Sequence, residues 1–185
     1  MLTEASLNKS RAEDIESICY LRDYKVTGLR HTIVYIYYYY KKLIDGTHES
    51  ALESTLKLNN KFSEPLTRKE VESYITSAEK ASEEHKSDKT KGYNYRNTTL
   101  IRLLNITKEE QKELKTIIEK REKLDRFNTS RRLKRRNEEG LTSRESSKKE
   151  LITKVKKLKE EGYKQIEIAN ELSISKGTVS KYLKL

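Results

Sequence analysis

The clearest fold signal in the chain lies near its C-terminal end, in the stretch Gly162-Tyr-Lys-Gln-Ile-Glu-Ile-Ala-Asn-Glu-Leu-Ser-Ile-Ser-Lys-Gly-Thr-Val-Ser-Lys-Tyr-Leu183. Its apolar residues lie at helical spacing and predict two short helices that share one buried side. Those residues are Ile168, Ala169, Leu172, Val179 and Leu183. Ile174 is expected to fill the turn between the two helices.

A longer helix precedes this stretch and supplies the third wall of the core. It is expected over 142–161, with Gly162 as its C-cap. Four apolar residues are predicted to face the two short helices, namely Leu151, Ile152, Val155 and Leu158. The sequence therefore predicts a bundle of three helices over 142–185.

Burying these apolar residues leaves a polar edge at the start of the second short helix. We call it the outer edge, and it consists of Ser175, Lys176, Gly177, Thr178, Ser180 and Lys181. Ser175 is placed to cap this helix, and the positive end of the helix favours a nearby phosphate. Gln165 begins the first short helix.

The stretch 162–183 resembles the helix-turn-helix of bacterial repressors and resolvase-type DNA-binding domains. The resemblance implies that the second helix enters the major groove of duplex DNA, with Gln165 and the outer edge as DNA contacts. Ser173 occupies a turn position where glycine is common, so we expect a left-handed backbone there. Lys164 replaces the usual hydroxyl cap, and Ile166 stands where the motif is usually polar.

The positive charge is concentrated in the second part of the chain. The net charge is +11, and residues 1–100 hold 16 basic and 15 acidic side chains, whereas 101–185 hold 24 and 14. This asymmetry indicates a polyanion-binding end, with nucleic acid ahead of an anionic membrane surface as the partner. Five cations are predicted to contact phosphates, and we call them the basic strip: Arg131, Arg132, Lys134, Arg135 and Arg136.

The rest of the sequence also predicts helices, so the fold class is all-α. Hydrophobic residues make up 34% of the chain, which is too little for a large doubly wound sheet. A Tyr/Ile/Val-rich run over 28–44 predicts a buried helix, with a strand as the alternative. The outward pair of Tyr37–Tyr40 is expected to offer a minor stacking surface for single strands. Capping boxes at Thr67, Thr107 and Thr142 predict three helix starts.

This reading divides the chain into four segments. We predict an N-terminal helical extension over 1–27, a small helical module over 28–84, a linker and long basic helix over 85–141, and the DNA-binding domain over 142–185. The linker is placed at 85–97, and the long charged helix at 108–139. Heptad spacing fails after Leu124, so the sequence leaves a homodimer open without favouring it.

The module over 28–84 resembles the C-terminal module of primases. The matching residues are Asn60, Phe62, Pro65, Leu66, Glu70, Val71, Ile75, Ser77 and Ala78. The resemblance implies a plasmid or mobile-element replication protein, with other replication proteins as partners of this module. The alternative is a transcriptional or copy-number repressor with the same DNA-binding domain.

The sequence offers little for catalysis. It has no phosphate-binding glycine loop and no Asp-x-Asp pair, and we interpret Asp14 and Asp23 as isolated acidic residues. One cysteine excludes a disulfide framework and a thiolate zinc site. We therefore predict no enzyme activity, no catalytic residues, no metal and no cofactor. We also expect a cytoplasmic protein without a membrane partner, because no apolar run approaches 18 residues.

Overall fold

The computed structural model describes residues 3–185, and within them the fold is all-α, as the sequence predicts. The described helices, numbered in chain order, are α1 (Glu4–Leu21), α2 (Arg30–Asp45), α3 (His48–Asn59), α4 (Arg68–Ser87), α5 (Asn97–Leu103), α6 (Lys108–Glu113), α7 (Lys120–Lys134), α8 (Ser143–Glu160), α9 (Gln165–Glu171) and α10 (Lys176–Tyr182). The chain divides into two compact units, which meet in sequence between Leu124 and Asp125. No helix within 3–185 is long and apolar enough to span a membrane.

Three helices begin at the capping boxes that the sequence predicts. At the start of α4, Thr67 Oγ1 accepts from the Glu70 amide at 3.3 Å, and the Glu70 carboxylate accepts from the Thr67 amide at 2.7 Å. The same reciprocal pairs start α6 at Thr107 and α8 at Thr142. Each box satisfies amides that the first helical turn leaves without an intrahelical partner.

Helix α2 is central to the first unit, and its burial corrects the predicted stacking surface. Helices α1, α3 and α4 all pack against it. Tyr37, Tyr38, Tyr39 and Tyr40 are consequently all buried, although consecutive residues point to every side of a helix. None of the four rings is free to stack on a nucleobase. The predicted helix is correct, and the predicted outward pair of tyrosines is wrong.

The hydroxyl groups of these tyrosines reach partners at the rim of the core. The Tyr37 hydroxyl bonds to Glu16 on α1, and the Tyr38 hydroxyl lies 2.8 Å from His48 Nδ1 on α3. The Tyr39 hydroxyl accepts from the Tyr93 amide at 3.2 Å. Buried phenols are tolerated when each hydroxyl is hydrogen-bonded, so the four-tyrosine run packs without leaving a polar atom unsatisfied.

Residues 85–97 are held against the first unit's core by Tyr93 and Tyr95, so the predicted linker is wrong. Helix α4 continues to Ser87, and His85 is buried on it. Tyr93 and Tyr95 pack against the hydrophobic core as a stacked pair with ring centroids 5.3 Å apart. Gly92 allows the backbone of this segment to lie close to α4, because a Cβ at position 92 would lie 2.5 Å from the Ala81 carbonyl oxygen. The segment is polar in composition, but its two tyrosines anchor it.

The predicted long basic helix over 108–139 is two helices, because its first apolar residues turn into the core. Residues 114–119 are not α-helical and separate α6 from α7. Leu114, Ile117 and Ile118 are buried in this segment. The same core includes α1, which we had predicted as an extension, with Ile15 and Ile18 almost fully buried. The first unit therefore has one core that crosses the predicted boundaries at 27/28 and 84/85.

Asp14 on α1 fixes this segment to the helical core. Its carboxylate accepts from the amides of Lys115, Thr116 and Ile117 at 2.6 to 2.8 Å, and from the Thr116 hydroxyl at 2.7 Å. The side chain is 1% exposed. A buried carboxylate needs such donors to replace its lost hydration, and these donors in turn hold 115–117 against α1.

Candidate nucleic-acid interface

The second unit places α9 and α10 around a small apolar core. Val155, Ile168, Ala169 and Val179 are buried there. Five partly buried residues pack against them, namely Leu158, Leu172, Ile174, Tyr182 and Leu183. These are the residues that the helical spacing assigned to the interior, with Tyr182 added. Leu151 and Ile152 lie outside this cluster, so the inner face of α8 is shorter than predicted.

The outer edge points away from this core. Val179 is 0% exposed on α10, whereas Lys176, Gly177 and Lys181 are exposed on the same helix. Thr178 and Ser180 are partly exposed, as is Gln165 at the start of α9. The burial of one side of a seven-residue helix thus leaves small and basic residues on the other. The predicted orientation of this edge is correct.

Ser175 caps α10 as predicted, and this limits what its hydroxyl does. Its Oγ accepts from the Thr178 amide at 3.1 Å and lies 2.8 Å from Thr178 Oγ1. The two hydroxyls are therefore paired with each other. Ser175 and Thr178 stabilise the first turn of α10. The exposed groups left to contact a partner are Lys176, Gly177 and Lys181.

The turn between α9 and α10 contains the left-handed residue that the sequence predicts. Ser173 has φ of 52°. The amide of the next residue, Ile174, donates back to the Ala169 carbonyl at 3.0 Å, which closes the end of α9. At the start of α9 the Glu167 carboxylate accepts from the Lys164 amide at 2.7 Å. This bond is one half of a capping box, and the half that an N-cap hydroxyl would make is absent because Lys164 has no acceptor. Ile166 is 57% exposed beside it.

The basic strip ends α7 and enters the turn before α8. All five of its cations are exposed. Four of them line a cleft of about 280 Å³, which we call the arginine cleft, and its lining residues are Asn128, Arg131, Arg132, Arg135, Arg136 and Thr142. Lys134 is not among them. Arg131 and Arg132 lie at the end of α7, while Arg135 and Arg136 follow it, where Arg136 pairs with Thr142.

Two of the four arginines also have contacts within the chain. The Arg136 guanidinium donates to the Gly140 carbonyl and lies 3.6 Å from the Glu145 carboxylate, so it also stabilises the turn before α8. The Arg131 guanidinium lies 5.5 Å from the centroid of the Phe127 ring. Sequence reasoning missed Asn128 and Thr142 as lining residues. Asn128 lies one turn before Arg132 on α7, and that spacing is the signal that would have found it.

The second unit carries most of the chain's net positive charge. From residue 125 onward the chain has 17 basic and 9 acidic side chains, against 23 and 20 in residues 1–124. Arginine guanidinium groups are suited to phosphate because their planar donors match two of its oxygens. The exposed arginine cleft and the outer edge together offer cations and small polar groups to an extended anionic partner.

The acidic residues near the N-terminus do not resemble a metal centre. Asp14 is followed two positions later by Glu16, a spacing that our interpretation of Asp14 as isolated overlooked. The Asp14 carboxylate is held by 115–117, and the Glu16 carboxylate accepts from the Tyr37 hydroxyl. Within residues 3–185, no group of three or more His, Cys, Asp or Glu side chains is arranged to hold a metal ion.

The chain is similar to a protein of Clostridium perfringens named "Replication protein". The two are 42% identical over 118 residues, which are 64% of this chain and 28% of that protein. The chain thus matches little more than a quarter of its relative's length. No family model matches the chain, and no solved structure matches it.

Proposed function

We propose that this protein is a non-enzymatic, replication-associated DNA-binding protein that docks on duplex DNA through its second unit. The outer edge carries the proposal: Lys176, Gly177 and Lys181 are exposed on the helix that buries Val179. A short helix that offers small residues and cations at its first turn suits the major groove, where larger side chains would hold the backbone away.

In this proposal the two parts of the interface have different tasks. Helix α10 enters the major groove with the small residues of the outer edge facing base pairs, while Lys176 and Lys181 meet flanking phosphates and Gln165 contacts the DNA backbone. The arginine cleft takes backbone phosphates, which position a protein on DNA without reading its sequence. The net charge of the second unit supports this division, because phosphate contacts supply most of the sequence-independent affinity.

Replication is favoured over transcriptional repression by the similarity to the Clostridium perfringens protein. The name of that protein supports a replication role for this chain, while repression stays the alternative. The first unit then acts as a positioning or protein-interaction module, consistent with its resemblance over 28–84 to the C-terminal module of primases. Helices α2, α3 and α4 pack together there. Protection of origin DNA by the full chain supports replication, and protection of a promoter operator alone supports repression.

The DNA contacts are tested with Lys176→Ala/Lys181→Ala in the full chain. If both lysines meet phosphates, the slope of log K against log salt falls by up to about two units, because each phosphate contact contributes about 0.9. Fluorescence anisotropy with a labelled duplex over a range of salt concentrations measures this slope.

The matched control is Lys69→Ala/Lys80→Ala, which removes the same charge from exposed positions of α4 in the first unit. We expect its slope to equal that of the unchanged protein. If the Lys176/Lys181 variant also keeps its slope, these lysines are not at the interface and the proposed docking is wrong.

A further inference from the structure

The first unit contains a second cleft, which lies between α1, α2 and the end of α4. It has a volume of about 270 Å³, close to the lower end of small-ligand sites. Its lining residues are Glu4, Leu7, Asn8, Arg11, Tyr39, Tyr40, Leu43, His85, Lys89, Tyr93 and Asn94. We call it the tyrosine cleft. Nothing in the proposed docking on DNA uses it.

Asn8 is the feature that indicates a ligand here. Its side chain lines the tyrosine cleft and is only 8% exposed. Among residues 3–185 it has no hydrogen-bond partner, although buried polar groups are nearly always paired. The Nε atom of Arg11, one helical turn further along α1, is also buried and unpartnered. The Arg11 Nε atom is closed off from the cleft, so the Asn8 carboxamide is the unpaired group that a bound molecule would complete.

The charges around the cleft leave it positive. The Glu4 carboxylate is occupied, since His85 Nε2 lies 2.8 Å from it and Lys89 Nζ lies 2.5 Å from it. Arg11 donates to the Tyr40 hydroxyl at 3.1 Å, to the Tyr95 carbonyl at 2.9 Å and to Asn97 Oδ1 at 3.3 Å, none of which is an anion. The guanidinium charge therefore lacks a carboxylate partner, and an anionic ligand would supply one.

The remaining walls are aromatic and hydroxylic. Tyr93 contributes a partly exposed ring, and burial raises the pKa of Tyr40, so its hydroxyl keeps a proton. That hydroxyl already accepts from Arg11 and still has its own proton to donate. The cleft thus combines a free carboxamide, a phenol donor, aromatic surface and a cation.

From these groups we infer that the tyrosine cleft binds one nucleotide. The Asn8 carboxamide, which offers a donor and an acceptor side by side, pairs with the edge of the base. The partly exposed Tyr93 ring contacts the base, and the Arg11 guanidinium faces the phosphate. The nucleotide is either a free mononucleotide or one residue of a single strand, because both present the same base and phosphate.

The test is a titration of the full chain followed by amide NMR, in which the side-chain amide of Asn8 and the backbone amide of Tyr93 report on the cleft. The probes are the four deoxynucleoside 5′-monophosphates, a short single-stranded oligonucleotide of mixed sequence, and inorganic phosphate. Saturable shifts with a mononucleotide support a free nucleotide as the ligand. Shifts at the cleft with the oligonucleotide alone support a strand as its source.

Asn8→Leu removes the carboxamide at nearly constant size, and we expect affinity to fall at least about tenfold. Because Leu at this position could disturb α1, Asn8→Asp is the second variant. It keeps the shape but cannot donate and repels phosphate, so it must also weaken binding. Asn60→Leu, at an exposed asparagine of the same unit, is the matched control and leaves affinity unchanged.

Three results overturn the inference. The first is that no probe shifts the amides of the cleft. The second is that inorganic phosphate alone reproduces the shifts, because the base then contributes nothing. The third is that Asn8→Asp binds as tightly as Asn60→Leu, which would remove the carboxamide from recognition.

Discussion

Replacing Asp14 by asparagine should detach 115–117 from the first unit's core. The Asp14 Oδ2 atom accepts from the Thr116 and Ile117 amides and the Thr116 hydroxyl, and Oδ1 accepts from the Lys115 amide. Asparagine keeps one acceptor oxygen and turns an NH₂ group toward a donor on the other side. The substitution therefore weakens three hydrogen bonds and abolishes the fourth.

The magnitude follows from the bond types. A hydrogen bond to a charged group contributes about 1.5–3 kcal/mol and one to a neutral group about 0.5–1.5, so three weakened bonds lose about 3 kcal/mol together. The fourth leaves a buried donor unsatisfied, which costs about 1–3 kcal/mol. We expect Asp14→Asn to lower the free energy of unfolding of the first unit by about 4 kcal/mol or more.

Tyrosine fluorescence during urea unfolding measures this loss. Ten of the twelve tyrosines lie before residue 125, so the signal reports mainly on the first unit. The control is Asp23→Asn, at an exposed position with φ of 49° that asparagine tolerates well, and it should change stability by less than about 0.5 kcal/mol. A loss below about 1 kcal/mol for Asp14→Asn, or unaltered hydrogen exchange at the Lys115–Ile117 amides, would refute the reasoning.

Two further predictions concern single side chains of the first unit. Burial raises the pKa of Cys19 from 9.0 to about 12, so a thiol reagent should label the folded protein about 1000-fold more slowly than a free cysteine; complete labelling within minutes would contradict this. The hydrogen bond from Arg22 holds the pKa of Glu110 below its ordinary value. The pair therefore stabilises the fold fully at pH values above the unfolded pKa of about 4.3. This stabilisation is lost as the pH falls through the lowered pKa of the folded state. The stability difference between the unchanged protein and Arg22→Met should therefore be largest near neutral pH and shrink in acid, as urea unfolding at several pH values measures; a constant difference argues against the assignment.

Local signals predicted the second unit well. Capping at Thr142 and Ser175, the left-handed Ser173 and the burial of Val179 all depend on residues a few positions apart in sequence. Such short-range spacing determines which side of a short helix faces inward. The sequence predicted the four arginines of the arginine cleft but not Thr142. The turn at Asn137–Leu141 brings Thr142 beside the arginines, and helical spacing in the sequence does not predict the path of a turn.

The first unit was harder because its burial depends on distant partners. Helical spacing identifies one apolar side, yet α2 is surrounded and buries all of Tyr37–Tyr40. The segment 85–97 is polar along the sequence, and only the packing of Tyr93 and Tyr95 on the core reveals that it is not a linker. For the same reason the tyrosine cleft could not be predicted, since Asn8 and Tyr93 are 85 positions apart in the chain.

The bond between Asp14 and Ile117 joins residues 103 positions apart, which has a consequence for the order of events during synthesis. Helix α1 is synthesised before 115–117, so the Asp14 carboxylate lacks its donors, and the core of the first unit stays open, until that segment is made. The core of the second unit draws on residues 155–183 alone, so all its members are made within one short stretch of synthesis. During synthesis, Ile15 and Ile18 therefore stay partly exposed until 115–117 has been made. A chaperone that binds exposed apolar residues would bind the nascent chain at this stage.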